Sequence, residues 1–277
     1  MFDIQAIIQR ALAEDLGPGD ITSSTTVALH SESKAEFLAK EDFILAGLDV
    51  ARETFRQVDP KVCFFSYAKD GDEVKNGDVF ACLDGPARSL LQGERVALNF
   101  LQRLSGIATH TRRFVEVLQG TAAAVVDTRK TTPGLRVLEK YAVRVGGGRN
   151  HRFNLADGIL IKENHILAAG GITAAVASAR KMAPHTLKIE IETQTLAEVR
   201  EALEAGADII LLDNMPLEMV REAVKEIQGR ALVEASGGVA LDTVRPLAEA
   251  GVDFISVGAL THSSEAVDIS LLFSGIV

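Results

Sequence analysis

At 277 residues, 47% hydrophobic and 24% charged, the chain can build one large or two modest domains around substantial cores. Its formal charge of −9 and pI near 5.2 exclude the broad basic surface of a general nucleic-acid binder. No apolar run approaches the roughly 20 residues that span a bilayer, so neither nucleic acid nor membrane is expected as a partner.

The chain opens MFDIQAIIQRALAED, without the positive charge and continuous apolar run of a secretory signal. Ile4, Ile7, Ile8, Ala11 and Leu12 recur at helical spacing and predict a short amphipathic helix of a cytoplasmic protein. Gly17-Pro18-Gly19 then forces a turn. Lys34 to Lys40 alternates as a strand, and Gly47 to Val58 reads as a helix. Val62 to Tyr67 and Asp78 to Leu83 read as short strands, with turns at Asp70-Gly71-Asp72 and Asn76-Gly77-Asp78 that suggest hairpins. The run GDEVKNGDVFACLDG resembles the hairpins of biotinyl and lipoyl carrier domains. Lys75 lacks the setting of their modifiable lysine, so that resemblance is architectural. Cys63 and Cys82 lie in apolar runs and form no CxxC pair, which predicts buried thiols in a reducing compartment, with a disulfide as the alternative.

Ala87 to Leu118 is helical, with an apolar stripe at Ala97, Leu101, Leu104 and Ala108 and a polar stripe at Arg95, Asn99 and Gln102. Ser105-Gly106 is expected to interrupt it, because glycine weakens a helix interior by about 1 kcal/mol relative to alanine. Beyond Ala122 the rhythm becomes short apolar strand, then helix. The strands are Ala123 to Asp127, Gly158 to Ile161, Leu187 to Ile191, Ala207 to Leu212, Ala231 to Glu234 and Asp253 to Val257. Helices lie between them at Ile172 to Met182, Thr195 to Ala205, Leu217 to Ile227 and Leu241 to Ala250. Such alternation means a parallel sheet in an α/β fold, either a barrel or a doubly wound sheet. Six visible strands leave a full barrel with two strands unseen or an incomplete one.

The stretch from Asp127 to His165 carries eight Lys and Arg against four Asp and Glu, so it is +4 while the rest of the chain sums to −13. Concentrated cations in an acidic protein suit either a solvated basic face or a pocket for a small polyanion. The residues just past each strand favour the pocket. Thr128-Arg129-Lys130, Lys162, Glu192, Asp213, Ser236-Gly237-Gly238 and Gly258 all stand at strand C-termini, the active face of such barrels. Arg129 can grip a carboxylate or phosphate through paired hydrogen bonds, and Lys130 adds a point charge. His151, flanked by Arg149 and Arg152, does not read as a core histidine. Lys162 suits anion binding better than Schiff-base chemistry in this company. Glu192 and Asp213, 21 residues apart, either hold Mg²⁺ and stabilise a developing cation or cap the helices after them. The small residues at Ser236, Gly237 and Gly258 suit a phosphate bound by backbone N–H groups.

With these residues in view, DTRKTTPGLRVLEKYAVRVGGGRNHR followed by LIKENH resembles the quinolinate phosphoribosyltransferase family. Further matches run through nearly the whole chain: EDLGPGDITS at 14–23, AGLDVARETF at 46–55, GERVALNFLQRLSGIAT at 93–109, IEIET at 189–193, LLDNM at 211–215, EASGGV at 234–239 and SVGALTHS at 256–263. The resemblance implies an N-terminal α/β sandwich domain over residues 1–106 and an incomplete (β/α) barrel over 107–263, with the tail 264–277 packing back on the first domain. It implies a type II phosphoribosyltransferase that converts quinolinate and phosphoribosyl pyrophosphate to nicotinate mononucleotide, pyrophosphate and CO₂ in NAD biosynthesis, with Mg²⁺. The partner it implies is a second copy, in a homodimer with shared active sites or a larger assembly of such dimers. Arg95 would reach into the partner's site. Arg129, His151, Arg152 and Lys162 would surround the quinolinate carboxylates, and Lys130 would lie where the substrates meet. Glu192 and Asp213 would face the ribose and the metal. Ser236, Gly237, Gly258 and His262 would hold the 5′-phosphate. Arg149 departs from the small residue of the family pattern. The rivals are a same-scaffold enzyme with another acceptor (a molybdate-associated paralogue or a nicotinate user), a phosphosugar-binding regulator and a lysine-dependent aldolase.

Overall fold

The computed structural model describes residues 4–276. In chain order the first elements are α1 (Ile4–Leu16), α2 (Ile21–Thr26), β1 (Glu32–Ala39), β2 (Phe43–Ile44), α3 (Leu48–Val58), β3 (Cys63–Ser66), β4 (Glu73–Val74), β5 (Val79–Pro86) and α4 (Ala87–Val117). Next come β6 (Ala124–Val126), α5 (Arg136–Val145), β7 (Ile159–Ile161), α6 (Glu163–Ala169), α7 (Ile172–Met182), β8 (Ile189–Thr193) and α8 (Leu196–Glu204). The chain ends with β9 (Ile209–Asp213), α9 (Leu217–Ile227), β10 (Leu232–Ser236), α10 (Val244–Glu249), β11 (Phe254–Ser256), α11 (Ala259–His262) and β12 (Ile269–Ile276). They form two compact units. The first holds the described residues up to Arg112, Thr131–Gly147 and those from Leu260 onward; the second holds Arg113–Lys130 and Gly148–Ala259.

In the first unit an antiparallel sheet runs β12-β1-β5-β3. Strict alternation in β1 turns Ala35, Phe37 and Ala39 inward and leaves Lys34 and Glu36 to solvent. Phe37 stacks on Phe80 at 5.7 Å and meets Phe55 edge-on at 6.3 Å, the centre of an aromatic core. The α4 stripe of Leu90, Ala97 and Leu101 packs into the same core. The tail strand β12 pairs along β1, with Phe37 opposite Leu271.

Three expectations are corrected here. Ser105-Gly106 does not interrupt α4, which runs 31 residues without a break. Ser105 Oγ accepts from Ala46 N at 3.0 Å and donates to Ala46 O at 3.2 Å. A Cβ on Gly106 would sit 1.9 Å from Glu265 O, so the glycine admits a crossing backbone and its propensity cost is borne by a long helix. The cysteines are free but not buried: Cys63 is exposed and Cys82 half-buried, because both fall on the outward face of their strands. The Asn76-Gly77 turn forms, with Asp78 N donating to Lys75 O at 3.0 Å, yet its flanks are not a hairpin. β4 pairs with β2, while β5 pairs with β1 and β3.

In the second unit six parallel strands run β6-β11-β10-β9-β8-β7. Successive strands are neighbours all the way from β7 to β11, and β6 then adds beyond β11. That is the order of a barrel opened between its first two strands. Three strands reach further than expected, so Glu192 lies inside β8, and Asp213 and Ser236 are the last residues of β9 and β10.

Candidate active site

Alternation along the parallel strands decides which side chains meet. Leu160 and Glu190 are register partners on β7 and β8, so Lys162 and Glu192, two residues on, share the same face. Lys162 Nζ lies 2.5 Å from Glu192 Oε2. Glu192 is in register with Leu211, Leu211 with Glu234, and Asp213 with Ser236, which in turn pairs with Ser256. One face of this sheet therefore carries a polar row near the strand ends.

A cavity of about 480 Å³ opens on that face, lined by Thr128, Arg129, Lys130, His151, Arg152 and Lys162 together with Glu192, Asp213, Ser236 and Gly237. Leu160 and Leu211 supply apolar lining, and Asn214, Glu234, Gly238 and Ser256 complete it. Nine of the expected site residues are thus brought to one place. Gly258 lies two residues past β11 and is not among the lining residues. Arg95, exposed on α4, and His262, exposed in α11, belong to the first unit.

The basic stretch is not a single wall. Arg129, Lys130, Arg152 and Lys162 line the cavity, whereas Arg136, Lys140 and Arg144 lie on α5 in the first unit. There the fully buried Glu139 accepts from Arg103 Nη2 at 2.9 Å and from Thr132 N at 3.0 Å. Arg149 is exposed. The helix-cap reading of Glu192 and Asp213 also fails: α8 is capped by Thr195 in a box with Glu198, and Pro216 stands at the start of α9.

Local hydrogen bonds position the cations. The fully buried Asp127 accepts from His151 N at 2.9 Å and from Asn150 Nδ2 at 2.6 Å, tying the 149–152 loop to β6. His165 Nδ1 accepts from Lys162 N at 3.0 Å, which fixes the backbone that carries Lys162. Asn214, at φ +54°, donates its N–H to Ser236 O, and its side chain occupies the space a Cβ on Gly237 would need, 2.1 Å from Asn214 Oδ1. Burial, then the neighbouring charge of Arg129, hold the Arg152 guanidinium below its ordinary pKa.

Two buried carboxyls were not singled out by the sequence reading. Glu190 on β8 and Glu234 on β10 sit 3.1 and 3.7 Å from His151 Nε2. The available signal was their spacing, two residues before Glu192 and Ser236 on the same strands. Burial, then the charge of Glu190, push Glu234 up to about 7. The ligand atoms of His151, Glu190 and Glu234 lie within 4.8 Å of one another, a metal-like set. His151 Nδ1 accepts from Arg152 N at 2.7 Å, which turns Nε2 toward the two carboxyls.

A parallel α/β sheet that gathers guanidinium, ammonium and carboxylate groups at its strand ends defines an enzyme for small polyanionic substrates. Comparison with known proteins specifies it. The C-terminal domain model of quinolinate phosphoribosyl transferase matches residues 107–272 and its N-terminal domain model matches 20–105. A probable nicotinate-nucleotide pyrophosphorylase (carboxylating) of Bacillus subtilis is 47% identical over 97% of this chain and 92% of its own length. A chloroplastic nicotinate-nucleotide pyrophosphorylase (carboxylating) of Arabidopsis thaliana is 47% identical over 98% of this chain and 82% of its own length. The crystal structure of NadC from Streptococcus pyogenes superposes with a TM-score of 0.94 at 45% identity, over 99% of this chain and 96% of that one. The chain belongs to the quinolinate phosphoribosyl transferase family.

Proposed function

We propose that the chain transfers the phosphoribosyl group of phosphoribosyl pyrophosphate to the ring nitrogen of quinolinate, then releases the 2-carboxylate as CO₂. The products are nicotinate mononucleotide and pyrophosphate. The activity is that of a carboxylating nicotinate-nucleotide pyrophosphorylase in NAD biosynthesis. The supporting observation is the single cavity that joins Arg129, Arg152 and Lys162 to Glu192 and Asp213.

Arg129, His151, Arg152 and Lys162 bind the two ring carboxylates. The fixed backbones of His151, Arg152 and Lys162 orient the ring nitrogen toward the ribose. Lys130 meets the departing pyrophosphate. Glycosyl transfer develops positive charge on the ribose, and the carboxylates of Glu192 and Asp213 stabilise it. Ser236 and the backbone at Gly237 take the 5′-phosphate, with Gly258 added by family resemblance. Arg95 and His262 carry their roles by family resemblance alone, Arg95 in the partner protomer of a homodimer.

The oxygen donors of Glu192 and Asp213 suit Mg²⁺. One oxygen of each is committed, to Lys162 at 2.5 Å and to Asn214 Nδ2 at 3.1 Å, so the pair forms a partial shell. A partial shell completed by water and substrate phosphate is the usual Mg²⁺ arrangement. When bound, Mg²⁺ supplies positive charge to the pyrophosphate leaving group. Among the described residues no helix is long and apolar enough to cross a membrane. The two free cysteines support a reducing, cytoplasmic setting.

Turnover with phosphoribosyl pyrophosphate, Mg²⁺ and either quinolinate or nicotinate tests the reading. Quinolinate is expected to yield nicotinate mononucleotide and CO₂. Turnover of nicotinate with none of quinolinate would overturn it.

A further inference from the structure

The reaction needs one group not yet accounted for. Loss of the 2-carboxylate leaves an electron pair on ring carbon 2, and one proton must fill it. The inference therefore rests on the quinolinate reading.

Glu234 lines the cavity floor, with its side chain 5% exposed. Its Oε1, like Glu190 Oε1, is buried without a hydrogen-bond partner among the described residues. A buried, unpartnered carboxyl oxygen costs stability, and a site that keeps one has a use for it. The groups facing it are Glu190 from β8, His151 from the 149–152 loop, Lys162 just past β7 and Ser256 on β11. The other acids of the cavity are poorer donors. His151 already directs its Nε2 at the Glu190 and Glu234 carboxyls, 3.1 and 3.7 Å away. Arginine does not release a proton in proteins, Lys162 is held by Glu192, and Lys130 is given to the departing pyrophosphate.

We propose that the Glu234 carboxyl donates the proton that replaces CO₂ on ring carbon 2. The bond from carbon 2 to the carboxylate breaks, and its electron pair stays on carbon 2, stabilised by the positive ring nitrogen. CO₂ departs. The Glu234 O–H bond breaks as the new C–H bond forms, leaving a carboxylate that solvent reprotonates after product release. Nothing is oxidised or reduced. The elevated pKa of Glu234, about 7, keeps the donor loaded near neutrality.

Single-turnover kinetics on the full chain, with Mg²⁺ and quinolinate labelled in the 2-carboxyl, separate pyrophosphate formation from CO₂ release. In Glu234→Gln, CO₂ release is expected to fall at least tenfold while pyrophosphate formation stays within threefold of wild type. Glu234→Asp should restore part of the loss, and the alkaline limb of the CO₂ rate should vanish in Glu234→Gln. Equal slowing of both steps, or CO₂ release within twofold of wild type, overturns the proposal. Should Glu234→Gln not fold, Ser256→Ala carries the test. Ser256 holds the Glu234 pKa down, so its loss should move the alkaline limb up, and an unmoved limb overturns the proposal. Wild-type chain that releases no pyrophosphate overturns the quinolinate reading itself.

Discussion

Asp127→Leu should loosen the loop that carries His151 and Arg152 while leaving the fold intact. The carboxylate is fully buried and accepts from His151 N at 2.9 Å and Asn150 Nδ2 at 2.6 Å. A hydrogen bond to a charged acceptor contributes about 1.5–3 kcal/mol. Asn150 is exposed and can turn to water, so the His151 bond sets the floor of the loss. At 1.4 kcal/mol per decade, that floor corresponds to roughly a 10- to 150-fold rise in the quinolinate KM. Asp127→Asn should do less. Its carbonyl can still accept from His151 N, and the Asn150 amide can rotate to accept from the new NH₂, so both bonds persist without the charge. The expected order of quinolinate KM is Asp127→Leu, then Asp127→Asn, then wild type. The backbone bonds Asp127 N to Arg149 O and Arg149 N to Val125 O survive in both variants, so thermal unfolding should change less than KM. Asp127→Leu with a wild-type quinolinate KM would refute the claim that this carboxylate positions the site.

Arg103→Met leaves Glu139 buried with only Thr132 as partner and should cost about 3–5 kcal/mol in urea unfolding. Arg103→Met/Glu139→Leu should recover part of that; a double variant no more stable than the single would assign the loss to packing. Glu234, at about 7 against an ordinary 4.5, binds its proton more tightly folded than unfolded. Stability from that group is full below pH ~4.5 and is lost as pH rises through ~7, so Glu234→Gln should gain on wild type by roughly 3 kcal/mol between pH 4 and pH 8. An equal difference at both pH values would show that the carboxyl is not raised.

Period and position made part of the site legible in the sequence. Lys162, Glu192, Asp213 and Ser236 stand where apolar strands end, and polar side chains there face either solvent or a shared mouth. Glu190 and Glu234 obey the same alternation but sit deeper, inside runs whose neighbours are Ile, Val and Ala, so they read as strand interior. Their meaning depends on His151, which arrives from a loop that no periodicity positions. Charge counting erred for a related reason. Arg136, Lys140 and Arg144 recur at helical spacing on α5 and leave the cavity, while Arg129 and Lys130 stay. Gly106 was misread because local propensity carries no information about Glu265, more than 150 residues away, whose backbone needs the space.

The depth at which each charge sits, more than the cavity's net charge, should govern its selectivity. Arg129, Lys130 and Lys162 are exposed and Arg152 is half-buried, while Glu190 and Glu234 lie beneath them almost out of reach of water. An entering anion meets the cations first, and the carboxylates offset them only at longer range. Burial, then the charge of Arg129, already lower the Arg152 pKa before any ligand arrives. A ligand with two carboxylates held rigidly on one ring can relieve both guanidinium groups at once. A monocarboxylate would leave one of them repelled by its neighbour in a partly dry site. With Arg129 and Arg152 on the two ring carboxylates as proposed, a pyridine dicarboxylate is expected to bind more tightly than its monocarboxylate counterpart, and equal Kd values for the two would refute this account.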